Sequence, residues 1–166
     1  MFFNKPPKTG AASPPETLET VVQQELAGAD SETVAIVSAI AGLLGSIAYA
    51  DREITKDEER ALLRELSTIQ GVHEQGAQAI YRTLTRHIVT VSTLERPRFT
   101  RTLLELGDRD LRYQVLGLLV ELAAADGTIS LEEVNMLRTI TTALGLTQGD
   151  YNELQARHRQ RLGSLR

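Results

Sequence analysis

The stretch Tyr49–Glu58 reads YADREITKDE, and 75 positions later Ala124–Glu133 reads AADGTISLEE. Both follow an apolar helical pattern and precede an amphipathic one, so each reads as a turn between two helices. Sliding the chain by 75 positions also places Gly42-Leu43-Leu44 on Gly117-Leu118-Leu119. The same shift sets Ala48, Ala50, Asp51, Ile54, Glu58 and Leu62 on Ala123, Ala125, Asp126, Ile129, Glu133 and Leu137. Thr55 meets Ser130, which is the same N-cap chemistry. One unit is written twice: apolar helix, Ala-Asp-x-x-Ile-[Thr/Ser]-x-x-Glu turn, amphipathic helix, glycine stop. Two such units can bury their apolar faces against each other about a pseudo-twofold axis.

The rest of the chain fits this plan. Asp30 or Ser31 caps a helix with Ile36, Ile40, Leu43, Leu44 and Ile47 on one stripe. Thr55 with Glu58, and Ser130 with Glu133, have capping-box spacing. A helix from about His73 carries Ile80, Leu84, Ile88 and Val91, after which Ser92–Pro97 reads as a break. A short helix through Phe99, Leu103 and Leu106 closes at Gly107. Asp108 caps a long one, and the last begins near Thr147 with Tyr151, Leu154 and Leu162 turned inward. No strand pattern appears. The expectation is an all-α single domain of about eight helices over residues 16–166, with one repeat at about 31–90 and the other at about 109–162. Residues 1–15 read as a disordered tail holding four of the five prolines, with Phe2-Phe3 as a stray apolar pair.

Composition narrows the classes. In 166 residues there are no cysteines, so disulfides, thiolate metal sites and thiol redox chemistry are excluded. That fits a reducing, cytoplasmic setting, and the N-terminal stretch lacks the apolar run of a secretory leader. A net charge of −4 argues against nucleic acid as a global partner. Val34–Ala50 runs 17 residues without a charge. With two glycines, two serines and a tyrosine it reads as a central helix buried all round rather than a membrane span.

The doubled turn resembles the TerB family, which takes in tellurite-resistance TerB proteins and the N-terminal domain of the DjlA co-chaperone. The resemblance covers about Ser31–Arg159; its second copy, continuing as LGLTQGDYNEL, is the more specific. The first copy departs from the pattern, with Arg52 where glycine is expected. The resemblance implies an all-helical, non-enzymatic module tied to stress responses, with an acidic surface that binds metal ions. Without a thiol, the chain cannot itself reduce tellurite through cysteine.

Two functional readings follow from the residues. In the first, the molecule presents charged faces to protein partners. Arg82, Arg86, Arg96, Arg98 and Arg101 gather around the middle break with Glu95 as the sole acid among them. Arg96, Arg98 and Arg101 are the candidate surface, for an acidic protein partner or one docked at the membrane surface. In the second, Asp51, Glu58, Asp126 and Glu133 form a shared weak site for calcium or magnesium. Each turn supplies only half of a calcium loop: Leu122 and Ala124, or Ile47 and Tyr49, stand where carboxylates are required. The same four acids also have folding roles in Asx turns and capping boxes. No catalytic constellation, phosphate-cradling loop or paired-histidine zinc motif is present in the sequence.

Overall fold

A computed structural model describes residues 17–163, with side chains to residue 159. The expectations about Phe2, Phe3 and the side chain of Leu162 lie outside the described residues. The elements are α1 (Leu18–Glu25), α2 (Ser31–Ala48), α3 (Lys56–Thr68), α4 (Glu74–Arg86), α5 (Ile88–Thr90), a π turn (Val91–Glu95), α6 (Arg96–Leu106), α7 (Arg109–Ala123), α8 (Leu131–Ala143) and α9 (Gln148–Gly163). No strand occurs among the described residues. The all-α expectation holds.

Start signals act where the side chains place them. Asp30 accepts from the Thr33 amide at 2.7 Å and Asp108 from the Leu111 amide at 2.8 Å, so each satisfies an orphan donor of a first turn. Thr147 and Asp150 exchange bonds at the head of α9 in the same way.

The expected break at Ser92–Pro97 is not there. The chain interrupts earlier, at His87, whose backbone leaves the helix at φ −117° and ψ 20°. From Ile88 to Leu106 the backbone then stays helical through Pro97. Proline lacks an N–H, and its ring would meet the carbonyl four residues back, on Thr93. The turn before it widens into a π turn, which makes the room. The Thr93 and Ser92 hydroxyls both donate to the Val89 carbonyl, at 2.6 and 3.3 Å.

α2 is the axis of the packing. It is the described helix long and apolar enough to cross a membrane, yet 72% of it is buried inside the fold. Ala39, Ala41, Leu43 and Leu44 are fully covered. α1, α3, α4, α6, α7 and α8 all pack on it. The closest approach is with α6: a Cβ on Gly42 would overlap the Phe99 ring. Phe99 itself is 1% exposed, so the ring has nowhere to retreat. Its counterpart by sequence, Gly117, stands differently, for a Cβ there would touch only Leu154 Cδ2 at 3.5 Å.

We therefore expect opposite outcomes from two Gly→Ala changes. Gly42→Ala overpacks the α2–α6 crossing and should lower stability by about 1–3 kcal/mol despite alanine's better helix propensity. Gly117→Ala meets ordinary contact distance and should be neutral or stabilising by up to about 1 kcal/mol. Urea melts of the two variants beside the parent chain check both signs.

Candidate acidic-turn and arginine-face sites

The two turns share their backbone scheme. After α2 the Arg52 amide donates to the Tyr49 carbonyl at 2.9 Å, and after α7 the Gly127 amide donates to the Ala124 carbonyl at 3.0 Å. Both positions have positive φ, +69° at Arg52 and +92° at Gly127. Glycine takes that conformation freely, whereas arginine there costs about 1 kcal/mol or more. Asp51 accepts from the Glu53 amide at 3.3 Å, and Asp126 from the Thr128 amide at 3.1 Å. These are Asx turns.

Each turn closes on a reciprocal capping box. Glu58 accepts from the Thr55 amide at 2.8 Å while Thr55 Oγ1 accepts from the Glu58 amide at 3.2 Å. Glu133 accepts from the Ser130 amide at 3.2 Å while Ser130 Oγ accepts from the Glu133 amide at 3.1 Å. Both glutamates are buried, at 6% and 5% exposure. Ile54 and Ile129, one residue before each cap, pack half-buried against the core.

The fold brings Glu58 within electrostatic reach of Asp51, Asp126 and Glu133, and Glu133 within reach of Asp126. Burial pushes the Glu133 carboxyl up to about 7, against the lowering effect of its Ser130 hydrogen bonds, and the charges of Glu58 and Asp126 add to the rise. Glu58 is raised chiefly by burial too, with Asp51 and Asp126 contributing. No ion pair to Glu58 or Glu133 offsets this among the described residues. Yet one oxygen of each carboxylate is already engaged, on the glutamates by a cap amide and on the aspartates by a turn amide. Among the described residues no group of three or more histidine or acidic side chains is placed to hold a metal ion.

The arginines expected on one surface have separate fates. Arg98 pairs with Glu19 at 2.7 Å and Glu95 at 3.4 Å, and its guanidinium lies 4.9 Å from the centre of the Phe99 ring. It clasps α1 to α6. Arg101 is exposed, and Arg96 is half-buried. Neither Arg96 nor Arg101 has a side-chain partner among the described residues. The sequence reading missed the company these residues keep: Val89 and Leu94, beside them in the chain, are 60% and 77% exposed. With Leu104 and Leu106, they make four of the five exposed large apolar side chains among the described residues, all on the α5–α6 run; the fifth is Leu131. A helical break expected at Ser92–Pro97 concealed that run. His87 is an exposed helix end.

Comparison with known families agrees with the TerB resemblance. The family described as Tellurite resistance protein TerB matches residues 37–156, which includes both turns. No curated protein and no solved structure matches the chain.

The raised carboxyls set a pH dependence. Glu133 titrates near 4.5 when unfolded and about 7 when folded, so between these values the folded chain binds more protons. The stability linked to its protonation is complete below about 4.5 and lost as pH rises through about 7. Glu58 acts in the same direction. We expect the melting temperature to rise as pH falls from about 8 to about 6. Glu133→Gln keeps a cap acceptor without the charge, and should melt above the parent at pH 8 with a flatter profile. A pair of thermal scans across that range checks it.

Proposed function

Since the chain belongs to the TerB family, we propose that it is a non-enzymatic cytoplasmic module that binds protein partners in a tellurite-resistance type of stress response. The observation that carries this reading is the α5–α6 run. It concentrates Val89, Leu94, Leu104 and Leu106 in the open, interleaved with Arg96 and Arg101. Isolated exposed leucines are common on any surface, but four exposed large apolar side chains along one helical run, with two arginines unpaired among the described residues, make that run the candidate contact element. Arg98 belongs to the fold rather than to this surface, because Glu19 and Glu95 already hold it.

The test is a photo-crosslinker in place of Leu104, in the full chain, expressed in the source cells with and without tellurite. A discrete partner band is expected, and Leu94→Ser with Arg101→Glu should reduce it severalfold. Equal recovery from parent and variant chains would remove this surface from consideration.

A second reading gives the acidic turns a role as a weak calcium or magnesium site, using Asp51, Glu58, Asp126 and Glu133. Its support is that like charges from the two turns raise one another's pKa, and a hard cation would relieve that repulsion. The engagement of one oxygen of each carboxylate in a cap or an Asx turn weighs against it. NMR titration with calcium or magnesium to millimolar levels decides: shifts confined to the two turns and lost in Asp126→Ala support the site. A flat response retires it.

A further inference from the structure

We propose that the groove between the first turn and the π turn is a docking site for an acidic peptide segment of a protein partner, an apolar anchor flanked by carboxylates. The proposal rests on the interaction-module reading above and adds to it a site and a partner chemistry.

The groove has a volume of about 570 Å³ and is lined by Tyr49, Arg52, Val89, Thr93, Arg96 and Met136 among others. No acidic side chain lines it. Neither guanidinium has a hydrogen bond or ion pair among the described residues, so two cations face a common space without a counter-charge. In a chain of net charge −4 this is a local excess of positive charge. Arg96 is half-buried through its stem, and its unpaired guanidinium can donate a bidentate contact to a carboxylate that reaches the groove. The walls between are apolar and adaptable: Tyr49 and Met136 are half-buried, and Val89 stands 60% exposed. Tyrosine, methionine and arginine are the residue types that enrich contact surfaces.

Two backbone features converge on the same place. The π turn supplies Val89, Thr93 and Arg96 from within or beside it, and π turns recur where a helix serves function. Arg52 holds φ +69° at the position where the second turn has Gly127. A strained arginine in a slot that glycine fills without cost points to a use for its side chain. Concavity selects the occupant. A groove of this volume admits a few side chains of one extended or helical segment, while a bilayer surface is flat and would meet the rim alone.

The experiment measures fluorescence anisotropy of a labelled twelve-residue peptide of leucine and glutamate against the full chain. A glutamine-for-glutamate peptide and phosphatidylglycerol vesicles are run beside it. The acidic peptide should bind, the glutamine peptide should bind more weakly, and affinity should fall as salt rises. Arg52→Gly should cost about tenfold in affinity, as should Arg96→Gln, the scale of one charged hydrogen bond. Arg52→Gly should melt no lower than the parent because glycine suits the turn, which separates lost binding from lost folding. Unchanged affinity in both variants would overturn the proposal. So would an absence of peptide binding, or vesicle binding that shows the arginine dependence in place of the peptide. Concentration-dependent dimerisation in sedimentation, abolished by Arg52→Gly, would assign the groove to a second copy and overturn it as well. Affinity that falls with Arg101→Glu yet survives both groove variants would overturn the groove while leaving the exposed α5–α6 surface standing.

Discussion

A helix with no polar face must be surrounded, and the fold is the solution to surrounding α2. Ser31–Ala48 offers no charged residue after Glu32 and no stripe to turn toward water. Burying such a cylinder takes neighbours on every side, and six helices supply them. The tightest contact is made possible by an absence: Gly42 has no side chain, and the Phe99 ring occupies the space. Close approach increases dispersion contact along the crossing and fixes the register of α6 on α2. That register in turn decides where the π turn and the adjoining Arg96 emerge. Packing at one glycine is thus linked to the placement of a surface some way along the next helix.

The two turns show how a single local solution can be used twice with different consequences. Each ends an apolar helix, bends through a left-handed residue, closes an Asx turn and starts the next helix with a capping box. Both capping glutamates point inward to reach their cap amides, so both are buried. Local satisfaction of hydrogen bonds thereby brings like charges together, and burial raises their pKa values. The acidic cluster is a by-product of good helix starts before it is anything else. That ordering matters for any ion: a cation would find one oxygen of each carboxylate already committed to a backbone donor, with the other left to coordinate it.

What the sequence made legible follows the range of the interactions involved. Caps, Asx turns and left-handed stops are decided within four residues, and Thr55–Glu58, Ser130–Glu133 and Asp108 appear as their spacing indicated. The all-helical class was legible because periodicity is likewise local. Pro97 misled because its effect depends on what the preceding turn can do: a π turn absorbs the ring where an α turn would end. His87, set between Leu84 and Ile88 in the apolar pattern, proves to be the true break. Arg98 looked like a surface charge because Glu19, its partner, is far away in sequence. The half-burial of Arg96 and its neighbour Met136 likewise depend on α8 crossing near α6, which no local pattern encodes.

Divergence between the turns is then most informative where the backbone demands a particular residue and the chain supplies another. Gly127 obeys the demand of its φ; Arg52 does not. Nothing in the first turn's hydrogen bonding needs a guanidinium, since the Arg52 amide makes the bond that the Gly127 amide makes. The strain therefore has no compensation within the turn itself. Compensation from the folded core is ruled out as well, because the side chain is exposed and unpaired among the described residues. A cost without an internal return points outward, to an interaction made with something other than the chain. The same logic separates Arg98, whose two carboxylate partners account for it fully, from Arg96, which has none.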